Sequence, residues 1–169
     1  MRLGVVGMLP ADFRDITNEH LAAIADLQLT AGAFHSPGAM LGGVTAEEAH
    51  SVRDLFASAN MDLAQFGIGF SECLFDPSQE IRDGLRGTIQ DGLRVAADLG
   101  AGCCLIRTGS LSERGSYSPD PRNHSPESRD RLVGSLRHVA EDAEATGVTV
   151  VVETHLLTIM NSPETNAAI

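Results

Sequence analysis

The sequence predicts an α/β fold built on a parallel sheet, and three observations lead to that prediction. Short apolar runs rich in β-branched residues alternate with longer segments whose apolar residues recur at helical spacing, the pattern of successive βα units. Helix start and stop signals separate these segments. The chain has 169 residues and 43% hydrophobic content, which is enough to bury a core. Strands are predicted near residues 2–8, 29–34, 62–70, 102–109 and 148–155.

Two long helices are predicted from apolar stripes at a spacing of three and four residues. The stripe of the first consists of Ile81, Leu85, Ile89, Leu93 and Ala96, and that of the second of Leu132, Leu136, Val139, Ala140 and Ala143. Each stripe gives its helix one face to lay on the sheet.

Capping residues predict where the helices begin and end. Starts are predicted at Thr45 with Glu48 as a capping box, at Asp76 before Pro77, and at Ser125 before Pro126; stops are predicted at Gly100 and Gly147. Ser162-Pro163-Glu164 repeats the Ser-Pro-Glu start, so a further helix is predicted near Pro163. Only about two turns of chain follow, since a turn takes about 3.6 residues. We therefore expect the sequence to stop inside a fifth βα unit.

Two architectures accommodate five strands and nearly five helices. A flavodoxin-like doubly wound sheet can be complete at this size, whereas a (β/α)8 TIM barrel takes about 250 residues. The segment GMLPADFRD after the first strand has no glycine-rich phosphate turn, which disfavours the doubly wound sheet. We predict an incomplete TIM barrel with parallel strands in sequential order, in which residues 1–169 are the N-terminal part of a single domain. The doubly wound sheet is the alternative.

Composition excludes several classes of function. The net charge is −11 and no cations cluster, which argues against nucleic-acid binding. All 12 basic residues are arginine, so neither a Schiff-base lysine nor a phosphate-loop lysine is present. No apolar run approaches the roughly 20 residues of a membrane span, and no signal peptide is evident, so we expect a cytoplasmic protein without membrane contacts. Cys73, Cys103 and Cys104 are predicted to be buried thiols.

Polar residues gather where the predicted strands end, which is where a TIM barrel carries its catalytic groups. They are His35, Glu72, Arg107, Ser110, Glu153 and His155. Glu153 and His155 are two residues apart on a strand, so both point to one face, with Val150 and Val152 on the helix side. A loop of about fifteen residues follows the fourth strand, a length typical of lids and binding loops. Its Tyr117 is predicted either to stack on a bound ligand or to hold the loop to the barrel rim.

The order of motifs over about residues 60–160 resembles the sugar isomerase/epimerase superfamily with a xylose-isomerase-like barrel. The most specific pieces are A-x-x-L-G-A at residues 96–101, R-T-G-S at 107–110 and A-x-x-x-G-V-x-V-x-x-E-x-H at 143–155. The resemblance implies a divalent metal ion (Mn²⁺, Mg²⁺ or Co²⁺) that stabilises an enediolate while carboxylates move the proton. It makes Glu153 a metal ligand and an acid/base residue. The other three ligand positions would lie beyond residue 169.

The resemblance also suggests roles for other strand-end residues in a site for a small sugar or sugar phosphate. His155 would bond a substrate hydroxyl, and Arg107 would meet a phosphate or carboxylate or else form a structural ion pair. His35 and Glu72 would line the mouth of the barrel. Since one carboxylate cannot hold a catalytic ion that takes about six ligands, the 169-residue chain alone is expected to be inactive.

Two other functions remain open. One is a related metal-dependent lyase such as an inosose dehydratase; an apurinic endonuclease would need a basic groove that this acidic chain lacks. The other is a non-catalytic half-barrel that associates with another chain or with copies of itself as a homo-oligomer, because an open sheet leaves edges to be covered.

Overall fold

The computed structural model describes residues 3–167 and 169 and shows one parallel sheet with helices. The strands are β1 (Gly4–Val6), β2 (Ala31–Pro37), β3 (Asp62–Gly69), β4 (Cys104–Arg107) and β5 (Val150–Glu153). The helices are α1 (Asn18–Asp26), α2 (Gly38–Leu41), α3 (Ala46–Ser58), α4 (Gln79–Leu99), α5 (Pro126–Thr146) and α6 (Pro163–Ala167), with 3₁₀ turns at Phe13–Asp15 and Pro121–His124. None of the helices in this described part of the chain is long and apolar enough to span a membrane.

The strand order is β1-β2-β3-β4-β5, and all neighbouring strands are parallel. A doubly wound sheet would reverse its order about the first strand, so the flavodoxin-like alternative is wrong. In this sheet each new strand is instead added next to the preceding strand and always in the same direction, as in a barrel. The architecture is an incomplete (β/α)8 barrel of five βα units, as predicted.

The register between strands separates a helix-covered face of the sheet from a concave face. Phe34, Phe66, Cys104 and Val150 align across β2 to β5 on the helix-covered face. Two residues further along β3, Ile68 packs so closely on Gly92 of α4 that a Cβ there would overlap it. Val150 and Val152 pack against the core, so the predicted orientation of β5 is confirmed. Because side chains alternate along a strand, Glu153, which follows Val152, points to the concave face.

Helix ends follow the local signals, with one exception. Thr45 and Glu48 form the predicted capping box, and the Ser125 hydroxyl caps α5. Gly100 and Gly147 end α4 and α5 at φ values of +66° and +70°, where a side chain would be strained. The predicted start at Asp76 is wrong.

Helix α4 instead begins after Ser78, whose hydroxyl accepts the N–H of Ile81. The Asp76 carboxylate accepts the N–H of Ser78, which closes a turn one step before the helix. Ile81 is therefore in the first turn and is exposed, so the buried stripe of α4 starts at Leu85. Of the predicted stripe of α5, Leu132, Val139 and Ala143 are buried, Leu136 is half-buried and Ala140 faces solvent.

The thiols are only partly as predicted. Cys73 and Cys104 are buried, and burial raises the pKa of each to about 12, so both stay protonated. Cys103 is half-buried, because it precedes β4 and its Sγ lies 3.6 Å from the carbonyl oxygen of Ala64.

Candidate active site

The last residues of β4 and β5 are neighbours on the concave face. Arg107 pairs with Glu153 in the strand register. The same face carries His35, Gly67, Leu105 and Val151 one layer below, since these four residues also align across the sheet. Carboxyl ends of parallel strands therefore bring a cation and a carboxylate to one edge of the barrel.

Two aromatic rings enclose the guanidinium of Arg107. Its Cζ lies 5.0 Å from the ring centroid of Phe70, which follows β3, and 5.6 Å from that of Tyr117. These are cation–π distances. The Nε atom of Arg107 is buried and has no hydrogen-bond partner in the described chain.

Tyr117 connects the β4–α5 loop to the end of β5. Its hydroxyl donates a hydrogen bond of 2.7 Å to Oε2 of Glu153. Burial raises the pKa of Tyr117, and the hydrogen-bonded carboxylate raises it further, while the Arg107 guanidinium acts in the opposite direction. The phenol consequently stays protonated and can hold the Glu153 carboxylate in place.

His155 lies in a tight turn that follows β5, so the prediction that it shares the strand with Glu153 is wrong. Its backbone N–H donates to the carbonyl of Met160, and its own carbonyl accepts the N–H and the hydroxyl of Thr158. Its Nδ1 accepts the N–H of Leu157 at 3.3 Å, so a neutral ring carries its hydrogen on Nε2. The ring lies 4.9 Å from the Tyr117 ring, measured between centroids. His155 therefore offers an Nε2–H donor beside Tyr117.

The loop between β4 and α5 is held by a fully buried amide. Asn123 donates to the hydroxyl of Ser110 and accepts the N–H of Leu111, both at 2.9 Å. The Ser110 hydroxyl in turn donates to the carbonyl of Ser118 at 2.7 Å. Ser110 thus holds the loop that presents Tyr117, instead of standing in the site as a strand-end group.

A cavity of about 580 Å³ opens beside Arg107, between the ends of β2, β3 and β4. Its walls include His35, Glu72, Phe70, Arg107 and Ser116. His35 lies within β2 and not, as predicted, after the end of the strand. Its ring lies directly over Gly67, where a Cβ would overlap it. The Glu72 carboxylate accepts the N–H of the preceding residue at 2.9 Å and remains exposed to the cavity.

The structure therefore assembles the predicted residues into two adjoining groups that share Arg107. In the first group, Tyr117 contacts Glu153, His155 and Arg107. In the second group, His35 and Glu72 line the same cavity as Arg107. Sequence reasoning left the role of Tyr117 open and missed Phe70. Phe70 comes directly after β3, so its position at a strand end was the available signal.

No group of three histidine, cysteine, aspartate or glutamate side chains in the described chain is arranged to hold a metal ion. Glu153 supplies a carboxylate oxygen, the donor that Mg²⁺ and Mn²⁺ prefer. The described residues do not form a metal site by themselves.

Residues 21–169 match the family described as xylose isomerase-like TIM barrel. A comparison with curated proteins finds no match.

Solved structures show the same fold. L-Ribulose 3-epimerase aligns with a TM-score of 0.75 at 16% identity, over 99% of this chain and 55% of that one. The 3-keto-D-glucoside 4-epimerase from E. coli aligns with 0.67 at 17% identity, over 91% and 56%. D-Psicose 3-epimerase from Clostridium cellulolyticum H10 aligns with 0.67 at 21% identity, over 91% and 52%. The chain thus spans little more than half the length of these structures.

Proposed function

The chain belongs to the xylose isomerase-like TIM barrel family, and on this premise we propose that it contributes the first five βα units of a divalent-metal-dependent isomerase or epimerase of sugars or sugar phosphates. One observation carries the proposal. Arg107, Tyr117, Glu153 and His155 meet on the concave face at the carboxyl ends of β4 and β5. That end of a TIM barrel is where catalytic residues lie.

The chemistry begins with removal of a proton from the carbon next to the substrate carbonyl. The Glu153 carboxylate accepts that proton, which leaves an enediolate. Return of a proton to the neighbouring carbon completes an aldose–ketose conversion, and return to the opposite face of the same carbon completes an epimerisation. Glu153 is one member of the acid/base pair, and Tyr117 keeps its carboxylate oriented.

His155 and the cavity residues bind the substrate in this proposal. The Nε2–H of His155 donates to a substrate hydroxyl, and its Nδ1 is already occupied by a backbone N–H. His35 and Glu72 line the mouth at the other side of Arg107 and contact the remaining hydroxyls. Polar groups distributed in this way suit a small polyhydroxylated ligand.

We propose that Glu153 also contributes one oxygen to a divalent ion (Mn²⁺, Mg²⁺ or Co²⁺). A bound ion would polarise the substrate oxygens. The remaining ligands would come from the three βα units that complete an eight-unit barrel, supplied by the same polypeptide or by a partner. The 169-residue chain alone is accordingly expected to be inactive, and addition of the missing units is expected to restore turnover.

The test uses the completed barrel and a panel of ketoses and aldoses in D₂O, because deuterium enters the substrate carbon only when the proton is exchanged. Glu153→Gln keeps the size of the side chain and removes the base, so we expect turnover to fall by a factor of about 100 to 10,000. His155→Ala is expected to raise KM with a smaller loss of kcat. Circular dichroism should show an intact fold in both.

The matched control is Glu144→Gln, an exposed glutamate on α5 whose change is expected to leave turnover unaltered. A near-normal rate in Glu153→Gln would contradict the proposed role of this carboxylate. Release of water from the substrate in place of isomerisation would identify a lyase.

A further inference from the structure

Two aromatic rings contact the guanidinium of Arg107 in this acidic chain. The sequence has 23 acidic and 12 basic residues, so carboxylates are abundant. Five arginines form ion pairs, namely Arg14, Arg53, Arg86, Arg94 and Arg122. Arg82 and Arg131 donate to backbone carbonyl groups instead. Arg107 forms no ion pair with any carboxylate among residues 3–167.

The carboxylate beside Arg107 in the sheet is engaged by another group. Glu153 is the register partner of Arg107, and its Oε2 accepts the Tyr117 hydroxyl. The guanidinium instead lies between the Phe70 and Tyr117 rings. Such stacking fixes the plane of the guanidinium, and its N–H groups point outward from the edge of that plane.

The buried Nε of Arg107 lacks a hydrogen-bond partner. A buried donor left unpaired costs about 1–3 kcal/mol, and more when the group is charged. Arg107 also lines the cavity beside it, and an oriented guanidinium can meet a planar or tetrahedral anion through two parallel hydrogen bonds.

The cavity next to Arg107 can admit a ligand of the required size. Its volume of about 580 Å³ falls within the range of about 300–1,000 Å³ for small-molecule sites. Ser116 on its wall adds a hydroxyl group. Glu72 is the acidic side chain on the same wall, and its carboxylate accepts the N–H and the hydroxyl of Ser71.

We infer that the substrate carries an anionic group, a carboxylate or a phosphate monoester, and that Arg107 is the residue that binds it. The inference rests on the proposed function and narrows its substrate class from sugars in general to sugar acids or sugar phosphates.

Tyr117 provides a direct measurement of this binding. It is the only tyrosine, and the chain has no tryptophan, so in a barrel whose other units lack both residues its fluorescence is the sole intrinsic signal. Its ring lies on Arg107. Titrations of the completed barrel with inorganic phosphate, D-gluconate, D-ribulose 5-phosphate and neutral D-fructose should each be followed at the tyrosine emission. If the added units carry aromatic residues, ¹⁵N chemical shifts of the arginine Nε groups replace this signal.

We expect saturable changes with the anionic probes at concentrations at least tenfold below those needed for D-fructose. Arg107→Gln should weaken anion binding by at least tenfold. Arg107→Lys keeps the charge but loses the paired donors, so it should give an intermediate value. Arg114→Gln, an exposed arginine on the same loop, is the control and should bind as wild type.

The relative affinities of the probes distinguish a carboxylate from a phosphate ligand. A carboxylate site binds D-gluconate more tightly, whereas a phosphate site binds inorganic phosphate and D-ribulose 5-phosphate more tightly. Equal affinity for neutral and anionic probes, or unchanged binding in Arg107→Gln, would overturn the inference. Turnover of neutral sugars with equal kcat/KM in wild type and Arg107→Gln would also overturn it and leave the proposed function standing. Anion binding at Arg107 without turnover of any sugar would support the inference and contradict the proposed function.

Discussion

Replacing Asn123 with alanine is expected to loosen the β4–α5 loop that presents Tyr117. Asn123 is fully buried, and its amide makes two hydrogen bonds of 2.9 Å, one to the Ser110 hydroxyl and one from the Leu111 N–H. The side chain therefore closes the loop on itself over a separation of 12 to 13 residues.

The magnitude follows from the partners that alanine would leave behind. The Ser110 hydroxyl keeps its hydrogen bonds to the Ser118 carbonyl and from the Ser112 N–H. It therefore loses only the hydrogen bond from Asn123, which is worth about 1 kcal/mol. Leu111 keeps no acceptor for its N–H, which costs about 1–3 kcal/mol. We expect Asn123→Ala to lower the free energy of unfolding by about 2–4 kcal/mol.

Urea denaturation followed by circular dichroism measures this free energy, and tyrosine emission reports whether Tyr117 has left its place. Asn18→Ala, the same change at an exposed position in α1, is the control and should stay within about 0.5 kcal/mol of wild type. If Asn123→Ala behaves like Asn18→Ala, the loop is not held by this amide and the reasoning fails.

Two further predictions concern the helix layer. Gly92→Ala should lower the free energy of unfolding, because overpacking against Ile68 costs about 1–3 kcal/mol and outweighs the gain of about 1 kcal/mol in helix propensity. Gly84→Ala, where a Cβ meets no neighbour, should raise it by about that gain, and an equal change in the two variants in urea denaturation would contradict this prediction. The hydrogen bond from Arg86 lowers the pKa of Asp142 below its usual value of 3.8. Wild type should therefore be more stable than Asp142→Asn at neutral pH and should lose that advantage as the pH falls below 3.8 through the lowered pKa. If the advantage persists at lower pH, the Asp142 carboxylate is not its source.

Features that depend on residues close in sequence could be predicted from the sequence. The capping box at Thr45, the N-cap at Ser125 and the glycine stops at Gly100 and Gly147 involve groups within about one helical turn. The strand-side assignment of Glu153 follows from the two-residue period of a strand. The prediction at Asp76 failed within the same range, because the Asp76 carboxylate closes a turn with the Ser78 N–H and the Ser78 hydroxyl caps the helix.

Only the tertiary structure decided how the site is assembled. The hydrogen bond from Tyr117 to Glu153 spans 36 residues, and the stacking of Arg107 between Phe70 and Tyr117 joins two separate loops. These contacts depend on the path of an aperiodic loop, for which no periodic pattern exists in the sequence. The sequence by itself determined the succession of βα units along the chain and the approximate position of each strand, because both follow from local periodicity and capping. Tertiary packing determined which of those residues touch, because their contacts join segments that are far apart in the sequence.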